Sequence, residues 1–501
     1  MLDLKVVNAA LVPGDGSEPA PGEVGVRDGR IARVAAQIAE DARTVVDAQG
    51  HALAPGFIDL HTHVHTGPLV NFLRQGVTLA VGGNCGHSPL DLAQAARELE
   101  RTPTGPNIAL LVGHGSVREA VLGWADRAPG AAELDRMQGM VCRAMESGAM
   151  GLSTGLVYAP ASYAKTDEVI ALAAVAAQAG GFYATHMRDE WDHSLEAIGE
   201  ALHIGATAGL PVHISHHKAK GRNNWGLSER TLARLDAARQ QGRDVTHDAY
   251  PYTASQASIF LLLPGPVCEG GTEAIRARLA DREARAQARS RLIAALEGRY
   301  RDDLSDVVVA TCAHDSGVEA RTIAEVTHAR GRGGGLADAA ETVLELVAAD
   351  PRPEATYCVY HSMSEQDVRR ILGHPYTAVA SDGEKVPFGK GRPHPRHYGT
   401  FPRVLGLYCR EESLFSLGEA VRRMTGLPAR RLGLTDRGRL AEGAWADLVL
   451  FDPQTVRDRA TFEDPHQYAQ GFDLVVVNGT VVVREDRPTG ALCGQFVPRP
   501  G

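Results

Sequence analysis

Residues 56–65, GFIDLHTHVH, form an apolar run that ends in alternating histidines, and this run is the first strand of the predicted fold. Side chains along a β-strand point alternately to opposite faces, so Phe57, Asp59, His61 and His63 share one side. Two imidazoles at one strand end can hold a metal ion. The H-x-H pattern alone leaves a second interpretation open, in which two partly exposed histidines end a strand.

Seven further apolar runs follow, separated by helical patterns such as SLEAIGEALHIGATAG at 194–209. They are VTLAVGGN (77–84), NIALLVGH (107–114), MGLST (150–154), GFYATH (181–186), PVHISH (211–216), DVTHDAY (244–250) and TAVASD (377–382). Eight short strands that alternate with helices indicate parallel βαβ units. The pattern predicts an α/β protein built on a (β/α)₈ barrel.

Both chain ends have β patterns with hairpin signals at Asp28-Gly29 and Asn478-Gly479. Chain ends of compact proteins often lie close together, so we expect 1–55 and 416–501 to form one small β-sandwich domain. The barrel then occupies 56–415. The stretch between its seventh and eighth strands is too long for one crossover helix, which predicts an inserted subdomain at about 265–350. Two apolar runs inside this stretch, 306–312 and 355–361, leave the strand assignment open, because either could displace one of the eight strands.

Composition excludes several classes of protein. A hydrophobic content of 44% with 23% charged residues is typical of a folded globular chain. The net charge of -9, with no basic run, argues against nucleic acid as a partner. No apolar run is long enough for a bilayer, and the N-terminus lacks a signal-peptide pattern. Seven cysteines without a C-x-x-C pair favour reduced thiols. These features predict a cytoplasmic protein without membrane contact.

Metal-ligand residue types also end other predicted strands, which strengthens the interpretation of His61 and His63. Each lies at or just after the end of its run: Cys85, His186, His216 and Asp382. The carboxyl ends of barrel strands meet at one rim, so these side chains should converge. Thiolate, imidazole and carboxylate donors together favour zinc, which activates water for hydrolysis. Asp382 is then the candidate general base and acid, and a turn-forming Asp-Gly is its alternative.

The chain resembles the N-acyl-D-amino-acid deacylases (D-aminoacylases) of the amidohydrolase superfamily. The resemblance rests on motifs that run almost from end to end. They are APGFIDLHTH, GVTLAVGGNCG, MGLSTGLVY, YATHMRDE, HISHHK, DAYPYTA, ASDG, RPHPRHYGTFPRVLG, MTGLPARRLGL and GAWADLVLFDP. GNCG, THMRDE and SHHK are specific in combination, whereas H-x-H or PGFID alone would mark only the superfamily.

The resemblance implies a zinc-dependent hydrolase of N-acyl-D-amino acids, with one tightly bound zinc on Cys85, His186 and His216. It implies a weaker or partly occupied second position on His61, His63 and Asp382. It also implies that the substrate carboxylate binds three residues, Lys218, Tyr250 and Arg396. Related enzymes that prefer acidic D-residues carry a cation in the loop that corresponds to 253–266. This loop has none here, which favours neutral hydrophobic side chains.

Two other functions stay open. One is a cyclic amidase of the hydantoinase or dihydroorotase type, although Cys85 replaces the carboxylated lysine that such relatives carry. The other is a catalytically inactive binding or scaffold protein on the same fold. Glu190 is interpreted as an acid in the first turn of a helix. The small-molecule substrate is the only partner that the sequence predicts, and the oligomeric state is left open.

Overall fold

The computed structural model describes residues 1–501, and its strands follow the apolar runs of the sequence. The strands are β1 Leu2–Leu11, β2 Ala20–Arg27, β3 Arg30–Ala35, β4 Ala42–Asp47, β5 Ala52–Pro55, β6 Phe57–Asp59, β7 Val77–Gly82, β8 Asn107–Leu110, β9 Val112–Gly113, β10 Gly151–Gly155, β11 Phe182–His186, β12 Val212–Ile214, β13 Val245–Ala249, β14 Ala254–Ser258, β15 Val307–Cys312, β16 Thr356–His361, β17 Thr377–Val379, β18 Leu448–Phe451, β19 Phe472–Val477, β20 Thr480–Arg484 and β21 Arg487–Pro488.

Helices fill most of the segments between the strands. They are α1 Val70–Leu73, α2 Leu92–Arg101, α3 His114–Leu122, α4 Ala131–Glu146, α5 Thr166–Gln178, α6 Ser194–Ala208, α7 Ser228–Gln240, α8 Gly265–Cys268, α9 Gly271–Ala280, α10 Arg282–Leu296, α11 Ile323–Ala329, α12 Leu336–Ala349, α13 Glu365–Gly373, α14 Arg396–Arg403, α15 Leu417–Met424 and α16 Gly426–Arg431. A π-helical segment, Val404–Glu411, continues α14. None of the helices has both the length and the apolar composition that a bilayer crossing requires.

Eight parallel strands form the predicted barrel. The order β6-β7-β8 is continued by β9-β10-β11-β12-β13-β17, and β8 and β9 are consecutive parts of one strand. Each of the eight predicted runs supplies one barrel strand, so the predicted fold class is confirmed. The residues of these strands are buried almost without exception, because helices cover the outside and apolar side chains fill the inside.

The barrel closes between its first and last strands. Thr62 pairs in parallel with Gly383, and the Asp382 backbone N–H donates to the His61 carbonyl over 2.8 Å. The buried Asp59 carboxylate reinforces this seam, because its Oδ1 accepts from the Ser381 backbone N–H at 3.0 Å. Its Oδ2 accepts from the Ser381 hydroxyl. Asp59 therefore joins the two strands that carry His61 and Asp382.

Strands from both chain ends form a separate nine-stranded sheet, ordered β21-β20-β19-β18-β5-β1-β2-β3, with β4 beside β1. This sheet encloses its own apolar core, which includes Val6, Val24, Leu448 and Val476. The domain limits 1–55, 416–501 and 56–415 stay a prediction. Helices α15 and α16, which lie within 416–501, pack against barrel strand β6.

An insertion separates barrel strands β13 and β17. Its strands β14, β16 and β15 form an antiparallel sheet, and helices α8 to α12 lie in the connections between them. The two apolar runs that left the strand count open are β15 and β16, so they belong to this sheet and displace no barrel strand. The strands extend the insertion to 254–361, beyond the predicted 265–350. A separate core of 27 buried residues stabilises it.

Removing the Ser381 hydroxyl should weaken the closure of the barrel. Ser381→Ala leaves Asp59 Oδ2 buried with one hydrogen bond fewer, which should lower the free energy of unfolding by about 1–3 kcal/mol. Urea unfolding measures this change. Ser290 lies exposed on α10, so Ser290→Ala should change the unfolding free energy by less than about 0.5 kcal/mol. Equal values for the two variants would contradict the role given to the Asp59–Ser381 contact.

Candidate metal centre

A buried thiol lies at the middle of the candidate centre. Cys85 follows β7 and is 5% exposed. Its Sγ lies 3.3 Å from His61 Nε2, 3.6 Å from His186 Nδ1 and 3.4 Å from His216 Nε2. These side chains come from the ends of barrel strands one, two, five and six. The structure therefore brings all three residues predicted for the tight zinc position together, with His61 as a fourth.

A second cluster adjoins the first. His63 Nε2 lies 2.9 Å and His61 Nε2 3.6 Å from Asp382 Oδ1. His61 thus lies between the Cys85 and Asp382 side chains and belongs to both groups of donors. The three residues predicted for the weaker position are adjacent at the seam where the barrel closes.

The donor atoms fit a metal ion of the predicted kind. The ligand atoms of His61, Cys85 and His216 lie within 4.8 Å of one another, and so do those of His61, His63 and Asp382. The set combines a thiol, imidazoles and a carboxylate, the ligand types that zinc takes in proteins.

The backbone at three of these residues is strained. Cys85, His216 and Asp382 have φ values of 50°, 33° and 51°. Residues other than glycine seldom adopt this left-handed region, and such strain clusters at functional sites. The loop around Cys85 needs close glycine neighbours, since a Cβ on Gly155 would lie 2.3 Å from the Cys85 carbonyl oxygen. Each strained residue turns its side chain at the end of a strand, so the chain bends where the donors converge.

Burial and neighbouring charges set the ionisation of the two acidic donors. Burial raises the pKa of the Cys85 thiol well above its usual range, and the Asp382 carboxylate adds to this rise. Burial opposes ionisation of Asp382 as well, yet the Arg396 guanidinium and the hydrogen bond to His63 hold its pKa well below its usual range. Arg396 Nη1 lies 2.6 Å from Asp382 Oδ2. Asp382 is therefore a carboxylate at neutral pH.

The three residues predicted to bind the substrate carboxylate lie beside the clusters. The Tyr250 ring centroid lies 5.6 Å from Lys218 Nζ and 5.0 Å from Arg396 Cζ. All three side chains are buried. The Tyr250 hydroxyl and Arg396 Nε have no hydrogen-bond partner in the protein. Because buried polar groups are normally satisfied, these two donors are suited to a ligand.

Glu190 was interpreted incorrectly from the sequence. It is 2% exposed and precedes α6, whose first-turn acid is Glu196. Its carboxylate contacts Lys218 Nζ at 2.6 Å and lies within 3.3 Å of ring nitrogens of both His186 and His216. The sequence offered one sign of this position in the site. Glu190 lies four residues after His186, in a stretch without the apolar spacing of a helix.

Two more side chains of the site carried no clear signal in the sequence. Asp248, on β13, accepts from the His216 backbone N–H at 2.6 Å and contacts His213 Nε2 at 2.7 Å. Its Oδ2 also lies 3.6 Å from His61 Nδ1. Tyr158 packs its ring 4.9 Å from that of His186. Asp248 therefore contacts residues at the ends of two barrel strands, His61 on the first and His216 on the sixth.

Comparisons with known proteins agree with this geometry. A sequence profile of the amidohydrolase family matches residues 44–483. A D-aminoacylase of Alcaligenes xylosoxydans xylosoxydans is 37% identical, and the match covers 99% of this chain and 98% of that protein. An N-acyl-D-aspartate deacylase of the same organism is 38% identical, and the match covers 98% of this chain and 93% of that protein. The N-acyl-D-glutamate deacylase of Bordetella bronchiseptica, in complex with zinc and a phosphonate inhibitor that mimics the tetrahedral intermediate, superimposes with a TM-score of 0.84 at 34% identity and 100% coverage of both chains. The chain belongs to the amidohydrolase family and, within it, to the N-acyl-D-amino-acid deacylases.

Proposed function

We propose that this protein is a zinc-dependent hydrolase that cleaves the amide bond of N-acyl-D-amino acids into a carboxylate and a free D-amino acid. The observation that carries the proposal is the convergence of Cys85, His186 and His216 with the adjoining Asp382 cluster. The names of the similar proteins, a D-aminoacylase and deacylases of N-acyl-D-aspartate and N-acyl-D-glutamate, support the substrate class.

Two metal positions follow from the two clusters. Cys85, His186 and His216 would hold the tight zinc, and His61, His63 and Asp382 would hold a weaker second ion. Zinc in these positions supplies Lewis acidity, which makes a water molecule easier to deprotonate and polarises a carbonyl oxygen.

Asp382 is the general base and then the general acid of this proposal. It is ionised and accepts hydrogen bonds, so it can take a proton from the attacking water. A carboxyl of low pKa passes that proton on readily, and the leaving amide nitrogen is the group that requires it. Breakdown of the tetrahedral intermediate then releases the D-amino acid.

Asp382→Asn should retain zinc but lose most of the turnover. The amide cannot accept the proton, so kcat for N-acetyl-D-leucine should fall by about 10²- to 10⁴-fold. The tight zinc position should stay occupied, as measured by atomic absorption after dialysis, because its ligands Cys85, His186 and His216 are intact. Asp244 lies at the opposite end of the barrel beside Arg431, so Asp244→Asn should keep full activity. An undiminished kcat in Asp382→Asn would remove Asp382 from the acid and base roles.

Lys218, Tyr250 and Arg396 would receive the α-carboxylate of the substrate. Lys218 Nζ donates one of its three N–H groups to Glu190 and keeps donor capacity for the substrate, whereas Arg396 uses Nη1 and Nη2 on Asp382 and the Gln256 carbonyl. The Tyr250 hydroxyl and Arg396 Nε remain as donors for the carboxylate. Charged and neutral donors together suit an anion at this position.

Tyr250→Phe should weaken substrate binding through the loss of one hydrogen bond. The kcat/KM for N-acetyl-D-leucine should fall by about 10- to 100-fold, mainly through KM. A neutral N-acetyl amine without the carboxylate should be hydrolysed equally by the variant and the unsubstituted protein. Tyr376 is exposed, so Tyr376→Phe is the matched control. An equal loss on both substrates would assign Tyr250 another role.

Neutral hydrophobic side chains are the preferred substrates in this proposal. The segment 253–266 carries no cation, and its Phe260 and Leu261 are only partly buried. Lys220 is a buried cation of the site, but its Nζ lies 3.4 Å from Glu190 Oε2 and is already compensated. A free acidic side chain would therefore find no unpaired cation in this group of residues.

A substrate panel with and without a chelator tests the proposed reaction. N-acetyl-D-leucine should be hydrolysed at least about 10-fold faster than N-acetyl-D-glutamate or N-acetyl-D-aspartate, since an unpaired buried charge opposes binding. N-acetyl-L-leucine should react poorly. Chelation should abolish the activity, and added Zn²⁺ should restore it. Turnover of a dihydropyrimidine in place of the linear amides would favour the cyclic amidase, and no turnover of any substrate would favour a binding protein.

A further inference from the structure

Glu190 occupies an unusual position among the residues of the site. It is almost completely buried, and it follows His186 by four residues. Its Oε1 lies 2.6 Å from Lys218 Nζ and 3.1 Å from His216 Nδ1, and its Oε2 lies 3.3 Å from His186 Nε2. The same carboxylate thus faces two metal-ligand candidates and one substrate-binding candidate.

The two histidines turn opposite ring nitrogens toward the thiol. His186 presents Nδ1 to Cys85 Sγ, whereas His216 presents Nε2. A neutral imidazole that binds a metal with one nitrogen carries its proton on the other. The protonated nitrogens are then His186 Nε2 and His216 Nδ1, which are the two that face Glu190.

Each of these N–H groups requires a hydrogen-bond acceptor. Lys218 Nζ, 2.7 Å from His216 Nδ1, can donate only to an unprotonated Nδ1, and that tautomer would place the proton on Nε2, the nitrogen that faces the thiol. Glu190 is therefore the acceptor that fits metal binding through Nε2 of His216. His186 Nε2 has no hydrogen-bond partner in the protein, and Glu190 Oε2, 3.3 Å away, is a charged acceptor within reach of it.

We propose that Glu190 is a positioning residue that fixes the tautomers of His186 and His216 for zinc binding and holds Lys218 in place for the substrate carboxylate. Carboxylates that accept from the outer nitrogen of a ligand histidine orient the ring and strengthen metal binding. Here one carboxylate serves two ligands. Lys218 Nζ at 2.6 Å and Lys220 Nζ at 3.4 Å compensate its charge.

The part of the proposal that concerns Lys218 rests on the proposed function, whereas the zinc part does not. Glu190→Gln keeps the size of the side chain but replaces one acceptor oxygen with a donor group. It should weaken zinc binding by about 10- to 100-fold in a competition titration against a chromophoric chelator. It should also raise KM for N-acetyl-D-leucine, because Lys218 loses the anion that holds it.

Two variants complete the comparison. Glu190→Asp keeps the charge but is shorter, so it should restore part of the zinc affinity. Glu196 is exposed on α6, so Glu196→Gln should bind zinc as the unsubstituted protein does. The loss of zinc affinity expected for removing such an acceptor is about 10- to 100-fold. If Glu190→Gln binds zinc within about twofold of the unsubstituted protein, the proposal is wrong.

A measurement on the unsubstituted protein covers the case in which Glu190→Gln does not fold. In the zinc-loaded protein labelled with ¹⁵N-histidine, NMR should show the proton of His186 on Nε2 and that of His216 on Nδ1. The reverse assignment at either ring would overturn the proposal. If these protons lie as expected but no N-acyl-D-amino acid is hydrolysed, the zinc role of Glu190 stands and the proposed function fails.

Discussion

Closure of the barrel between β6 and β17 is the constraint that the whole metal centre depends on. Each donor is attached to the end of a different parallel strand, so the donors meet only if all the strands end at one rim. The Asp59–Ser381 contact joins the strand of His61 to the strand of Asp382. The same seam brings the two predicted metal positions next to each other, because His61 faces both Cys85 and Asp382.

The site also stores conformational strain. A left-handed backbone at a residue other than glycine costs roughly 1–3 kcal/mol, and three donors adopt it. Packing around these turns compensates for that cost. The loop of Cys85 lies against glycines of neighbouring strands, and His216 is held by the Asp248 carboxylate, which accepts from its backbone N–H. The donors are therefore oriented by the protein before any ion binds.

Most of the fold was predictable because barrel strands are short apolar runs with clear helical patterns between them. The family and the fold class are confirmed, and the nine predicted site residues lie in one connected group. Glu190 was wrongly interpreted because α6 begins at Ser194, later than the charged stretch suggested. Asp248 was missed, since strand alternation indicates a face of the sheet but not which neighbour a side chain contacts. The ion pair of Arg396 with Asp382 likewise depends on the three-dimensional path of the loop after β17.

The insertion has an apolar interior that is separate from that of the barrel, yet it contacts the site at two points. The Gln256 carbonyl of β14 accepts from Arg396, and Tyr300 packs its ring 4.9 Å from Trp191, which directly follows Glu190. A changed side chain within this interior is accommodated mainly by its own neighbours. Substitutions inside the insertion should therefore leave the rim that carries the donor atoms largely unchanged, except where they alter one of these two contacts.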